Sequence, residues 1–518
     1  MSSRPWDVRL RRPTWQPLPG RLSARTRVRL LAVLGIPLAA WYFTWLLDPE
    51  RVGTPWLYAL LVVAEVFNLT QALGLWWTCA SERVREPCPA PEHVAVDVYV
   101  PVYREPVEIV ELTVAAASGL RGAEVRVWVL DDGNDDEMRA LAARHGAGYV
   151  TREHHTGAKA GNINHALGRT HAPFIAVFDS DHVADVRFLE ATLGHFEDQR
   201  VAFVQTPQYY ANAEAGSIAG ASWSQQSLFF GAIARGKDGL DAMFCCGTNV
   251  IFRREALESV GGFPVNSLTE DFELSIVLHE QGWRSAYVPE VLARGLGPED
   301  MASYVSQQQR WARGCLSGIP RALRARLPWR LKAQYLLSAS YFLSGWTVLL
   351  YMSFPVIRIL TGAQPIDGIT APEFIVHFAP YFAIALLTVA LAGAGSYTFG
   401  AFALAAASFW IHILATLMVV LRRRGSFVVT PKEGARVRQP RAVAPALAAA
   451  AFLAAVSAYG LVLDLGPATL NNVAFALFHI TILLSGSWAA LRKPPKPPEP
   501  APEASAGVAA SGGAEVAA

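Results

Sequence analysis

Two short stretches, Thr269-Glu270-Asp271 and Gln307-Gln308-Gln309-Arg310-Trp311, hold the side chains best suited to chemistry in this chain. A carboxylate beside an acceptor hydroxyl is a general base. A guanidinium and an amide hold a diphosphate, and an indole stacks on a sugar ring. At helical spacing Gln307, Arg310 and Trp311 fall at i, i+3 and i+4 and share one face. Each has a plainer reading: a snorkelling Arg beside an interfacial Trp, and a helix-capping acid at Glu270 or Asp271.

Three earlier motifs weigh on the choice. Asp179-Ser180-Asp181 follows the apolar run Phe174–Phe178, and two acids so spaced at a strand end suit a hard divalent cation, Mg²⁺ or Mn²⁺, bridging to phosphates. Solvated loop acids are the alternative. Lys159 stands among small residues in His155-Thr156-Gly157-Ala158-Lys159-Ala160-Gly161-Asn162, a loop-to-helix junction where backbone amides favour an anion. The spacing is not that of a P-loop, and read alone the stretch favours a simple helix start. Asp131-Asp132-Gly133 closes a strand, so its acids either meet a base or ribose or only shape a turn. Five such motifs in workable order within about 180 residues favour nucleotide-sugar chemistry.

The elements that must position them lie between apolar regions. The 518 residues are 52% apolar with 15 Trp and a net charge of +2, too greasy for a wholly soluble chain and too weakly basic for a nucleic-acid partner. Cys79, Cys88, Cys245, Cys246 and Cys315 show no metal-ligand spacing and are expected to be reduced thiols. Residues 1–29 are polar and Arg-rich. Runs 30–47 and 56–78 are each long enough to span a bilayer as a helix, and the first reads as an anchor, not a cleaved signal. Arg21, Arg25, Arg27 and Arg29 ahead of the first run place the N-terminus in the cytoplasm. Glu65, inside the second run, offers a functional charge as one reading, but a packing or snorkelling role is the favoured one.

From about 92 to 330, β-branched runs (Val96–Val102, Val125–Leu130, Phe174–Phe178, Val201–Gln205) alternate with helical segments (Val107–Ser118, Glu137–His145, Phe188–His195). That alternation predicts βαβ units in a mostly parallel sheet, with the polar motifs at strand ends. Five more apolar runs follow, at about 335–360, 373–393, 400–421, 443–464 and 470–491. Were all five to cross, the seven Lys and Arg of Arg422–Arg441 would face outward, against the positive-inside bias. Run 400–421, which carries Ser408, His412 and Thr416, is therefore expected to lie at the interface, leaving six crossings. The Pro/Ala/Glu-rich tail, 492–518, is expected to stay disordered.

The sequence resembles processive family 2 glycosyltransferases, above all bacterial cellulose synthase catalytic subunits. Similarity runs from about 95 to 320 and resumes at Phe427-Val428-Val429-Thr430-Pro431-Lys432, which looks like the FxVTxK gating loop of those enzymes. The resemblance implies an α/β GT-A-like, Rossmann-type cytosolic catalytic domain (79–330) inserted between α-helical transmembrane segments (30–78 and 331–491). It implies UDP-sugar contacts from Pro101, Tyr103, Glu105, Asp132, Lys159, Asp179, Gln307, Arg310 and Trp311, and metal binding by Asp179 and Asp181. Asp271 would be the base, Cys246, Gly247 and Trp311 would meet the growing polysaccharide acceptor, and Phe427, Val429, Thr430 and Lys432 would close over the donor.

The implied setting is a bacterial inner membrane, with the bilayer as partner and a periplasmic or accessory subunit as a candidate. Departures exist: two crossings precede the domain in place of four, Gln308-Gln309 replaces the usual basic residue, Phe272 follows Asp271, and no PilZ domain is visible. A cellulose-like β-glucan from UDP-glucose is the leading product. Another β-linked polymer (1,3-linked or mixed-linkage glucan, hyaluronan- or chitin-like), a glycolipid made one sugar at a time, and a non-enzymatic transporter or scaffold stand as alternatives.

Overall fold

The computed structural model describes residues 24–214, 216–393, 396–423 and 438–492. Its strands, in chain order, are β1 (Ala95–Val102), β2 (Glu124–Asp131), β3 (Gly148–Val150), β4 (Phe174–Val177), β5 (Val183–Ala184), β6 (Val201–Gln205), β7 (Tyr209–Tyr210), β8 (Val250–Arg253), β9 (Arg284–Tyr287) and β10 (Ala293–Gly295). Seven form one sheet in the order β3-β2-β1-β4-β8-β6-β9, and β5, β10 and β7 form a small second one.

The expected parallel pairing holds for β3, β2, β1 and β4 and for β6 with β9, but β8 runs antiparallel to both its neighbours. Residues 206–249 leave and re-enter the sheet at the same end, where Gln205 and Val250 pair, so no crossover connection turns β8 round. Helices cover both faces, which is why β4 and β6 are buried along their whole length. Val98, Val100, Val114, Leu141 and Phe188 pack on one face, and Tyr99, Ile163, Ile175, Phe252 and Leu278 on the other.

Of the expected helices, Val107–Ser118 appears with those bounds and Glu137–His145 appears one residue earlier, as Asp136–Arg144. The one expected over Phe188–His195 is α-helical only to Thr192 before tightening into a 3₁₀ turn. Among the described residues, six helices are long and apolar enough to cross a membrane: Arg25–Leu46, Pro55–Ala80, Trp329–Thr361, Pro372–Ala392, Pro440–Leu463 and Pro467–Leu491. The 400–421 run is broken at Ser408 into Phe399–Ala407 and Phe409–Val420, bent by 41°. Phe409–Val420 packs on the helix Met301–Arg324, and Phe399–Ala407 on Pro467–Leu491. Glu65 is buried and accepts a hydrogen bond from the Tyr351 hydroxyl at 2.8 Å, a packing role and not a snorkelling one. The gating-loop residues Phe427, Val429, Thr430 and Lys432 lie outside the described residues.

Candidate active site

The carboxyl ends of β1, β2 and β4 open on one cleft of about 400 Å³. It is lined by Pro101, Tyr103 and Glu105 beyond β1, by Asp132 beyond β2, by Asp179 and Asp181 beyond β4, and by Lys159. Cys246 and Gly247, which lead into β8, Asp271, and the helix residues Gln307, Arg310 and Trp311 complete it. Every site residue expected from the sequence and lying within the described residues is therefore in a single cavity.

The structure separates the roles that Asp131 and Asp132 left open. Asp131 shapes the turn: Oδ1 accepts the Gly133 amide at 2.6 Å, and Oδ2 accepts the Asp135 amide and the Tyr149 hydroxyl, each at 2.8 Å. Asp132 faces the cleft, gripped by Arg152, whose Nε and a terminal nitrogen each donate at 2.7 Å. Arg152 also donates to the carbonyls of Thr156 and Ala158, so one guanidinium ties Asp132 to the loop carrying Lys159.

Lys159 sits in the first turn of the helix Ala158–Leu167, capped by Gly157 at φ +78°. Its ammonium contacts Asp179 and donates to the Gly247 carbonyl at 2.7 Å. Burial pulls on that ammonium, but Asp179, Glu270 and Asp271 outweigh it and hold the proton more tightly than usual. Asp179 is fixed through its own amide, which donates to Thr248 Oγ1 at 2.8 Å.

Glu270 and Asp271 occupy the first turn of the helix Glu270–Glu280, whose N-cap residue is Thr269, so the acids lie just inside the helix. The Phe272 amide donates to Asp271 Oδ1 at 2.8 Å. Burial pushes the Asp271 carboxyl up to about 7, Glu270 adds to the rise, and the Phe272 amide, Lys159 and Arg310 pull against it. A carboxylate with that value is poised to accept a proton near neutrality. Gly247, at φ +82°, abuts it: a Cβ there would lie 3.0 Å from Asp271 Oδ2 and 3.8 Å from Lys159 Nζ.

Asp179, Asp181 and His182 bring their ligand atoms within 4.8 Å of one another. His182 Nδ1 is 3.1 Å from Asp181 Oδ1, and its Nε2 is buried without a partner among the described residues. Buried polar atoms are nearly always paired, so an orphan ring nitrogen beside two carboxylates fits a cation-binding set. Oxygen donors with one imidazole suit Mn²⁺ as well as Mg²⁺.

Residues 174–420 match the family described as Glycosyl transferase family group 2. Cellulose synthase 1 of Komagataeibacter xylinus is 33% identical over 435 residues, covering 80% of this chain and 28% of the relative. The cellulose synthase catalytic subunit of Komagataeibacter sucrofermentans is 31% identical over 450 residues, 80% of this chain and 58% of the relative. That of Xanthomonas axonopodis pv. citri is 35% identical over 305 residues, 56% of this chain and 42% of the relative. The chain carries a family 2 glycosyltransferase domain. It spans 28–58% of the length of these relatives. In fold, the domain is similar to a mannosyltransferase from Pyrobaculum calidifontis solved with GDP-Man and Mn²⁺ (TM-score 0.52, 17% identity, 71% of this chain and all of that one). The fold is GT-A-like.

Around the cleft of this glycosyltransferase, sequence reasoning overlooked three residues. Arg152 leaves no signal, because it stands 20 positions from the acid it grips. His182 directly follows Asp181 and was legible as a further cation ligand. Gly314 faces Thr269: a Cβ there would fall 2.2 Å from Thr269 Cγ2, so this glycine lets the Asp271 helix approach the one bearing Gln307, Arg310 and Trp311.

Proposed function

We propose that the protein is a membrane-embedded, inverting, processive glycosyltransferase that builds a cellulose-like β-glucan from UDP-glucose and passes it through its apolar helices. One observation carries this reading: Asp271, the Asp179–Asp181 pair and the Gln307–Trp311 helix face line the same cleft. The relatives' names, cellulose synthase and UDP-forming catalytic subunit, support a UDP-linked donor and a cellulose-like product. The six long apolar helices flank the catalytic domain and support the membrane placement, with residues 79–330 on the cytoplasmic side. In this reading the bent 399–420 segment lies against the bilayer interface.

Asp271 takes the proton of the acceptor hydroxyl as its oxygen attacks the anomeric carbon. The bond from that carbon to UDP breaks, and the α-linked donor becomes a β-linkage. Lys159 and Arg310 face the departing diphosphate, where preorganised charge contributes most. Asp179, Asp181 and His182 would hold a divalent cation, which supplies further charge neutralisation at the phosphates. Arg152 fixes Asp132 against the nucleoside, and Trp311 offers its ring to the acceptor sugar at the cleft mouth.

The test is incubation of the purified chain with UDP-glucose and Mg²⁺ or Mn²⁺, with UDP release followed and the product digested by linkage-specific glucanases. A polymer opened by a 1,4-β-glucanase and missing in Asp271→Asn is expected. A solvent-extractable glycolipid, or no UDP release with any candidate donor, overturns the reading.

A further inference from the structure

The stretch Arg321-Ala-Leu-Arg-Ala-Arg-Leu-Pro-Trp-Arg-Leu-Lys332 carries five basic residues and no acid. It joins the end of the helix Met301–Arg324 to the start of the helix Trp329–Ser340. The catalytic cleft uses none of it. Arg324, Arg326 and Arg330 are exposed. Among the described residues none of the three has an ion-pair partner, since the nearby acid, Glu280, is taken by the Arg321 side chain and by the Arg326 amide at 2.8 Å.

Apolar groups share this corner. Leu323 is 53% exposed and Trp329 71% exposed. Trp329 stacks on Trp77, with ring centroids 5.5 Å apart and planes at 12°. Trp77 belongs to the last turns of the helix Pro55–Ala80, and Trp329 begins the next long apolar helix, so both rings mark one level along the apolar bundle. Paired indoles at a helix end, one of them on the stretch that also bears the exposed Arg324, Arg326 and Arg330, match the boundary between acyl chains and phosphate headgroups.

The corner is also wired to the cleft. Glu280 ends the helix whose first turn holds Asp271, and it is fastened to Arg321 and to the Arg326 backbone. Arg321 and Arg324 end the helix that carries Gln307, Arg310 and Trp311. The far ends of both catalytic helices are therefore joined at one basic site.

We propose that the Arg321–Lys332 corner binds the headgroups of anionic phospholipids, and that this contact holds the two catalytic helices in register so that turnover depends on anionic lipid. The proposal rests on the membrane placement argued above. Near a charged surface each basic residue contributes about a fivefold gain in affinity. Removing three should cut the site's preference for phosphatidylglycerol by roughly 100-fold.

The full chain would be reconstituted in phosphatidylcholine vesicles with and without 30 mol % phosphatidylglycerol. Association of spin-labelled phosphatidylglycerol and of spin-labelled phosphatidylcholine would be compared by electron paramagnetic resonance, a readout that needs no turnover. The wild type is expected to prefer phosphatidylglycerol, and the triple variant Arg324→Gln, Arg326→Gln, Arg330→Gln to lose that preference. The corresponding triple Lys variant should keep it, and 0.5 M salt should weaken it in the wild type. UDP release should rise severalfold with phosphatidylglycerol in the wild type and stay flat in the Gln variant.

Equal preference in wild type and Gln variant, full turnover in phosphatidylcholine alone, or displacement of the labelled lipid by millimolar inorganic phosphate would each overturn the proposal. If the triple Gln variant does not fold, the single variants Arg324→Gln and Arg330→Gln and the salt series on the wild type decide the matter. Loss of UDP-glucose turnover with an intact lipid preference would instead strike at the assigned reaction.

Discussion

Asp271 titrates in the range where its assigned role can be read directly from pH. Its ordinary value is 3.8, and burial, then Glu270, lift it to about 7. A base is active only when ionised, so activity must fall as pH drops through 7. With one group titrating at about 7, the ionised fraction is about nine tenths at pH 8 and about one tenth at pH 6. The ratio kcat/KM for the donor should therefore fall about tenfold between those values, and about another tenfold by pH 5.

Replacing Glu270 by Gln removes the second cause of the rise and should move the midpoint to lower pH. The assay is UDP release at low donor concentration across pH 5–9, with Asp271→Asn as the control whose residual rate should be flat. A wild-type profile with its midpoint near 4, or one unmoved in Glu270→Gln, would refute the reasoning. Stability carries the opposite sign. A carboxyl whose folded value is raised is harmless below its unfolded value near 4, and its ionisation costs stability progressively as pH rises through 7. Asp271→Asn should thus raise Tm at pH 8, with the gain shrinking toward pH 4.

Arg152→Met leaves a buried Asp132 without its partner, which should cost about 3–5 kcal/mol in thermal or denaturant unfolding and raise KM for the donor; Arg152→Lys should recover only part, since an ammonium lacks the planar fork that reaches Asp132 and the Thr156 and Ala158 carbonyls together. Gly247→Ala places a Cβ 3.0 Å from Asp271 Oδ2 at a φ of +82°, and turnover should fall about 10²-fold while donor binding by calorimetry survives. Gly314→Ala should act similarly by pushing the Asp271 helix away through Thr269, visible as lost single-turnover rate in a chain that still folds. Asp181→Asn should abolish the stimulation of UDP release by added Mn²⁺ or Mg²⁺, and a variant still responding to metal would remove Asp181 from the cation set.

Local chemistry decides a good deal of this molecule. Strand runs such as Val201–Gln205 and helix runs such as Val107–Ser118 are written in short-range periodicity and appear with those bounds. The cleft residues followed strands, and strand ends in an open α/β sheet converge, so Asp132, Asp179 and Asp181 were placed together by topology alone. What periodicity could not carry is anything set by contacts between distant segments. The reversal of β8 depends on where residues 206–249 re-enter the sheet. The grip of Arg152 on Asp132 and the close approach of Gly314 to Thr269 join residues with no regular spacing. The lifted proton affinity of Asp271 arises from burial by elements far along the chain. Side-chain type and order therefore settled which groups meet in the cleft, while packing settled how tightly each is held and at what pH it works.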